Sequence, residues 1–151
     1  PGAGDERLYS LYLGDPWFIR GYDYTSVGAE VESGDRRAAD LYYDRLLGTR
    51  LGVANVELRV PLLGSLGLFP TPAVPPIEAA LFFDAGAAYQ PDLRLSGGGT
   101  VPGGWRQTLT SYGVTLRANL LGFAVGEAAL VHPNDRPGKG WYWVLALQQG
   151  F

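Results

Sequence analysis

Side chains that could take part in catalysis are few in this sequence. Asp84 and Glu127 could form a carboxylate pair for hydrolysis, but no nucleophile is visible, nor a setting that would raise a carboxyl pKa. Cysteine is absent, which excludes thiolate catalysis, zinc–thiolate sites and disulfide bonds. The sequence therefore predicts no enzyme, no metal site and no cofactor.

Two further motifs have ordinary interpretations. His132 is the only histidine and precedes Pro133 in a predicted loop, where a single histidine is usually a surface residue. The glycines of SGGGTVPGG, residues 96–104, do not follow a strand and open a helix, as a phosphate-binding loop must. Neither motif predicts a binding site.

Among the polar residues, Arg20 has the most unusual neighbours in the sequence. It lies in DPWFIRGYDY, residues 15–24, between a run of large apolar residues and a Gly-Tyr pair. Lys139 is the only lysine among the 12 basic residues, which favours forked ion pairs, although high-GC codon usage would give the same composition. The net charge of −3 gives no sign of a nucleic-acid partner. Composition alone predicts that Arg20 is a surface-loop residue.

The elements that must position these side chains are strands. Apolar and polar residues alternate with a period of two in segments 50–62, 77–89, 111–121, 123–131 and 140–151. One face of each is apolar, and we expect it to point outward; its members include Val56, Leu58, Leu81, Phe83, Val114, Leu116, Leu145 and Leu147. The opposite, inward face carries the polar residues Asn55, Glu57, Arg59, Asp84, Arg117, Asn119 and Glu127.

Helices have little support in the sequence. Only GDRRAADLYYDRLLG, residues 34–48, resembles a helix, and it predicts one or two short turns. No apolar run approaches the ~20 residues of a membrane helix, so a helical membrane protein is excluded. The 151 residues suffice for one domain, and with neither an initiating methionine nor a signal segment we expect a piece of a longer chain.

The connections between the strands favour a particular class of β protein. Those after the second and fourth strands, residues 90–110 and 132–140, are polar, whereas the turn at Gly122 is minimal. Long loops on one side and short turns on the other are typical of an outer-membrane barrel, as are aromatic residues near strand ends. A soluble β-sandwich would alternate in the same way, so periodicity leaves both folds open.

Four motifs resemble one known family. FIRGY at residues 18–22 resembles the V-R-G-F/Y loop motif of the bacterial surface antigen superfamily, which contains the barrel-assembly insertases and the two-partner secretion transporters. FFDAG at residues 82–86 resembles its F-x-D-x-G strand, and YGVTLRANLLGFAV its penultimate hairpin. The terminal Phe151 resembles its C-terminal aromatic. Within the superfamily, the sequence is most similar to the barrel segment attached to WD-like β-propeller proteins.

The resemblance implies an antiparallel transmembrane β-barrel segment in the bacterial outer membrane. Residues 1–48 would hold the end of a preceding strand and the extracellular loop that folds inward, and residues 49–151 the last five strands. Five strands cannot close a barrel, and an open edge in lipid is costly. The expected partners are therefore the lipid bilayer and the remaining strands, from the parent chain or another copy.

The resemblance also implies roles for single residues. Arg20, with Gly21 and Tyr22, would lock the loop to the barrel wall by reaching Glu57 and Asp84 in the lumen. Phe82 and Gly86 belong to the strand motif. The C-terminal assembly signal would consist of Trp141, Trp143, Leu145, Leu147 and Phe151.

The implied function is insertion and assembly of outer-membrane proteins, or translocation of polypeptides. A client polypeptide and a periplasmic domain would then be further partners. The alternative is a structural anchor that tethers a periplasmic propeller or scaffold without transport. A third hypothesis, the soluble β-sandwich, predicts a chain that stays in solution without detergent.

Overall fold

The computed structural model describes residues 10–64, 69–70, 75–94, 99–120 and 123–149. Its helices are confined to one region: α1 at Tyr24–Glu32, α2 at Arg36–Asp40 and a π-helical segment at Leu41–Leu46. In the described part of the chain, none of the helices has the length and apolarity that a bilayer crossing requires.

Five long antiparallel strands dominate the molecule: β3 at Arg50–Gly64, β5 at Ile77–Gln90, β9 at Leu109–Leu120, β10 at Ala124–Pro133 and β11 at Tyr142–Gln149. The other strands have two residues each: β1 Leu11–Tyr12, β2 Leu47–Gly48, β4 Phe69–Pro70, β6 Leu93–Arg94, β7 Thr100–Val101 and β8 Gly104–Trp105. The five long strands correspond to the five segments that the alternation predicts.

The main sheet is open in the described part of the chain. Its strand order is β11-β10-β9-β5-β3-β4, with β8 pairing to β5. β11 forms one edge, and at the other edge β4 covers only Leu63 and Gly64 of β3. Neighbouring long strands are joined without crossovers, so each lies beside the next long strand in sequence. This antiparallel, sequential order is that of a barrel wall rather than of a sandwich with Greek-key connections.

The two faces of the sheet differ in composition. The outer face, defined as the face that carries Leu81, is apolar and exposed; Leu145 and Leu147 are 77% and 75% exposed. The inner face, defined as the face that carries Asp84, includes Asn55 opposite Asp84 and Arg117 opposite Glu127 in the strand register. All eight residues expected on the outward face lie on the outer face, with exposed side chains.

Residues 13–46, between β1 and β2, lie over one end of the inner face and are called the covering segment. Its apolar side chains pack with Ala88 of β5 and Leu109 of β9 in one buried cluster; they are Leu13, Ile19, Tyr22, Val27, Leu41 and Leu46. Short β1 and β2 pair with each other and close the base of the segment. The core therefore holds the covering segment against the sheet.

Two expectations about local structure are wrong. The first is that only residues 34–48 form helical turns, since α1 lies before that window. The sequence did not predict α1 because its β-branched residues and Gly28 disfavour helix. It begins instead at an N-cap, where the Asp23 carboxylate accepts a hydrogen bond from the Ser26 N–H. His132 lies in β10 rather than in a loop, and its ring stacks on Tyr112 at a centroid distance of 5.2 Å.

Candidate functional site

Arg20 joins the covering segment to two neighbouring strands. Its Nε and Nη2 donate to Oδ2 and Oδ1 of Asp84 at 2.8 and 2.9 Å, and Nη1 donates to Oε1 of Glu57 at 2.7 Å. The Arg20 backbone N–H also donates to Asp84 Oδ2, at 3.2 Å. The planar fork therefore engages one carboxylate with two nitrogens and a second carboxylate with the third, which a lysine ammonium could not match.

The surroundings of this pair stabilise its charged form. Asp84 is 1% exposed, and its Oδ1 accepts a further hydrogen bond from Asn55 Nδ2 at 2.9 Å. Asn55 Nδ2 also donates to the Phe18 carbonyl at 2.7 Å, which adds a second link between β3 and the covering segment. Burial alone would lower the pKa of Arg20, but the hydrogen bonds to Asp84 and Glu57 raise it above its ordinary value. Arg20 is therefore a fixed cation.

Each residue of the FFDAG motif that points inward contacts the covering segment. The Arg20 guanidinium carbon lies 3.7 Å from the centre of the Phe82 ring, a cation–π geometry. Asp84 accepts the fork. A Cβ on Gly86 would come within 2.6 Å of Ile19 Cδ1, so glycine leaves the space in which Ile19 packs. Spacing by two places all three on one face.

Gly21 and Tyr22 fix the chain immediately after Arg20. Gly21 has φ +98°, and a Cβ there would lie 2.9 Å from Val131 Cγ1, so both backbone conformation and space favour glycine. The buried Tyr22 hydroxyl donates to the Thr110 carbonyl at 2.8 Å and accepts from the Asp135 N–H at 3.1 Å. Burial raises the pKa of Tyr22, so its hydroxyl remains a donor.

The charges on the inner face continue across the sheet from Glu57. Arg59 Nε donates to Glu57 Oε2 at 2.7 Å, and Arg117 Nη2 lies 3.6 Å from Glu57 Oε1. Arg117 Nε in turn donates to Glu127 Oε2 at 2.7 Å. Alternating cations and anions thus extend from β3 through β9 to β10, and the ion pairs leave no large net charge on this face.

Two clefts on the inner face flank Trp17, whose side chain is 72% exposed. The larger has a volume of about 530 Å³, and its lining includes Arg20, Glu57, Arg117 and Glu127. The smaller, of about 400 Å³, is lined in part by Asn119. The polar side chains of the inner face therefore border open space rather than a dry core.

The C-terminal aromatic and aliphatic residues lie on or beside the outer face. Trp143, Leu145 and Leu147 are exposed there, and the half-exposed Trp141 ring contacts Tyr112 and His132 edge to face. Phe151, the last member of the expected assembly signal, lies outside the described residues.

Sequence reasoning missed a second group of contacts around Arg136, which is almost fully buried. This arginine binds Glu30 of α1 through two nitrogens, yet HPNDRPGKG, residues 132–140, predicts only a polar loop. Its partner is remote in sequence, so no local spacing signals the contact. For Arg20, composition alone favoured a surface residue, but its side chain is only 11% exposed.

No site for a metal ion can be assembled from the described residues, since nowhere in them do three or more histidine, aspartate or glutamate side chains converge. Glu57, Asp84 and Glu127 on the inner face each have an arginine partner. What the arrangement can do chemically is to fix the covering segment by ion pairs and hydrogen bonds.

One comparison with known proteins identifies the family. The model of the Omp85 superfamily domain matches residues 7–125, which contain the covering segment, the Arg20 contacts and the strands β3, β5 and β9. No curated protein and no solved structure matches the chain. This superfamily consists of β-barrel proteins of the bacterial outer membrane, and it is associated with insertion and translocation of polypeptides. Because the match spans most of its length, the chain belongs to the Omp85 superfamily.

Proposed function

We propose that the chain is the C-terminal wall of an outer-membrane barrel that inserts and assembles outer-membrane proteins or translocates polypeptides. In this proposal the outer face contacts lipid and the inner face borders the lumen. Residues 1–48 supply the inward-folding loop, and residues 49–151 supply the last five strands. Residues Trp141 to Phe151 form the assembly signal.

One observation carries the proposal: the Arg20 guanidinium holds the covering segment against the inner face of the sheet. Its three side-chain hydrogen bonds reach β3 and β5, and the partner Asp84 is buried. The covering segment fills part of the space that the inner face borders and leaves open the two clefts beside Trp17. A wet interior with balanced charge suits the passage of an extended polypeptide.

The apolar outer face supports the membrane part of the proposal. Over the described strands it exposes large apolar side chains on β3, β5, β9 and β11, and contiguous exposed apolar surface of this kind often marks a membrane or protein contact. Within the described residues, the outer edge of β11 and most of that of β3 have no neighbouring strand, and in lipid their unpaired backbone groups would each cost several kcal/mol. Strands of the parent chain or of another copy are therefore the partners that complete the barrel.

The test uses the full-length protein reconstituted into phospholipid vesicles. We expect it to accelerate folding of an added unfolded outer-membrane barrel, followed by its heat-modifiable migration, or to carry a secreted polypeptide into the lumen, followed by protease protection. Arg20→Ala should reduce the activity. Arg59→Ala is the matched control, because Arg59 also binds Glu57 but is half exposed.

A protein that inserts into the vesicles but neither accelerates folding nor transports polypeptide would refute the proposal. That outcome would leave the structural anchor of a periplasmic propeller or scaffold as the function. A chain that stays in solution without detergent would refute the membrane part as well.

A further inference from the structure

Arg136 forms a second set of contacts with the covering segment, from the loop between β10 and β11 rather than from β3 and β5. It lies between β10 and β11, and its Nη2 and Nε donate to Oε1 and Oε2 of Glu30 at 2.7 and 3.1 Å. Its Nη1 donates to the Gly21 carbonyl at 3.0 Å and to the Tyr142 hydroxyl at 3.2 Å. One side chain therefore joins α1, the turn after Arg20 and the first residue of β11.

Tyr142 extends the network to the start of α1. Its hydroxyl donates to Oδ1 of Asp23 at 3.3 Å, while Oδ2 of the same carboxylate accepts from the Ser26 N–H at 2.9 Å. Asp23 is the N-cap of α1, so the first residue of the edge strand is bonded to the residue that starts the helix. Arg136, Glu30, Tyr142 and Asp23 are called the Arg136 cluster.

A neighbouring group of contacts holds the same loop to β9. Asp135 accepts from the Thr110 N–H at 2.9 Å and from Arg45 Nη2 at 3.1 Å, and its own N–H donates to Tyr22. The loop between β10 and β11 is therefore bonded to the covering segment at several points. Its position and that of α1 depend on each other.

Burial makes Arg136 energetically important. Its side chain is 0% exposed, and a buried cation without its partner is strongly destabilising. Lys139 also approaches Glu30, at 3.5 Å, and its Nζ lies 5.0 Å from the centre of the Tyr142 ring, but its side chain is one-third exposed. The loop thus offers one buried and one partly exposed cation facing the same carboxylate, which provides a matched control.

We propose that Arg136 is a second positioning residue, which couples the covering segment to the edge strand β11. Arg20 fixes the segment to β3 and β5, whereas the Arg136 cluster fixes α1 to the loop that begins β11. Displacement of β11 would consequently move Tyr142 and Arg136 and release α1. This coupling goes beyond the proposed function, because it concerns the position of the segment whether or not polypeptides are handled.

The test measures the position of α1 in the full-length protein in vesicles. Cysteines for spin labels are introduced at Glu32, the exposed end of α1, and at the exposed Gln107 before β9; the 151 residues contain no other cysteine, and any elsewhere in the full-length protein is replaced by serine. Double electron–electron resonance should give one narrow distance population in the wild type. Arg136→Ala and Glu30→Ala should each add a second, longer population, and Arg136→Lys should restore little.

Two further variants separate coupling from a general loss of stability. Tyr142→Phe removes only a hydroxyl from β11, and it should also shift the label on α1. Arg136→Ala combined with Glu30→Ala should have no larger effect than Arg136→Ala alone, since removal of Arg136 already breaks its bonds to Glu30. Lys139→Ala should leave the distance distribution unchanged.

The proposal fails if Arg136→Ala and Glu30→Ala, both heat-resistant and membrane-inserted, keep the wild-type distance distribution, or if their effects add. It also fails if Tyr142→Phe leaves α1 in place. Should Arg136→Ala not fold, Glu30→Ala decides, because Glu30 is more exposed and its removal leaves Arg136 with the Gly21 carbonyl and Tyr142.

Discussion

Replacing Arg20 by alanine should release the covering segment from the strand wall while the sheet stays folded. The substitution removes three side-chain hydrogen bonds and the cation over Phe82. Glu57 retains Arg59 as a partner, but Asp84 would keep only Asn55 among its side-chain donors. The main cost is therefore an almost fully buried carboxylate without its cation.

The magnitude follows from that stranded charge. Removing one partner of a buried ion pair typically costs about 3–5 kcal/mol. The clefts beside Arg20 admit water, and Asn55 remains, so we expect a smaller loss of about 2–3 kcal/mol in the free energy of holding the segment closed. At about 1.4 kcal/mol per factor of ten, the open population should rise roughly 30- to 150-fold.

Limited proteolysis with chymotrypsin measures this population, because a bond in a tight turn is cut only after local opening. Trp17 and Phe18 lie in such a turn, in which the Phe18 and Ile19 N–H groups donate to the Asp15 carbonyl. Cutting after Trp17 or Phe18, identified by mass spectrometry, should accelerate by the same factor in Arg20→Ala. Arg20→Lys should regain little, since one nitrogen cannot serve both carboxylates.

Arg59→Ala is the control for this measurement. Its side chain is 55% exposed and binds Glu57 alone, so the expected cost is below about 1 kcal/mol. Equal cutting rates in Arg20→Ala and the wild type, or equal acceleration in the two variants, would refute the reasoning. The heat resistance of the sheet should be unchanged in both.

Three other predictions concern the outer face, the turn and acid pH. Leu116→Arg should cost roughly 2–4 kcal/mol if the outer face meets lipid, read as a lower folded fraction in vesicles; Leu116→Val should fold normally. Gly21→Ala should cost about 1–3 kcal/mol, from its positive φ and the contact with Val131, and unchanged chymotrypsin cutting would contradict this. Burial alone would raise the pKa of Asp23, but hydrogen bonds from Ser26 and Thr25 and the charge of Arg136 lower it. Its contribution to holding α1 is therefore complete above the ordinary value of about 4 and is lost as the pH falls through the folded value. Spin-label distances from α1 should broaden in acid, and Asp23→Asn should reduce that pH dependence.

The sequence was most informative where local rules determine the structure. Alternation places Leu58 and Leu81 on one face and Asp84 on the other, because a strand can exchange its faces only by a one-residue shift of register. The five long strands follow from the same rule. Periodicity could not separate a membrane barrel from a soluble sandwich; the family match supplies that distinction.

Helix α1 and the Arg136 cluster could not be predicted from the sequence, because both depend on contacts between residues that are distant along the chain. The helix contains Gly28 and β-branched residues, and it depends on the Asp23 cap and on the bond from Glu30 to Arg136. Glu30 and Arg136 are separated by 106 positions, and neither has a sequence context that identifies the other. The partners of Arg20 are also distant in sequence, at 37 and 64 positions, but there the motif resemblance indicated them.

The two arginines hold the covering segment with unequal strength, which determines which of the two contacts breaks first. Arg20 pairs with Asp84, which is 1% exposed, whereas Arg136 pairs with Glu30, whose side chain is 28% exposed. Breaking the first pair leaves the buried Asp84 carboxylate without a cation. Opening the second returns Glu30 to solvent, and the buried Arg136 keeps the Gly21 carbonyl and the Tyr142 hydroxyl as acceptors, so the cost is smaller. If β11 moves relative to β5, both contacts cannot be kept, because they attach neighbouring residues of the segment to different strands. Glu30 should therefore release Arg136 first, and α1 should detach while Arg20 still holds the turn to β5.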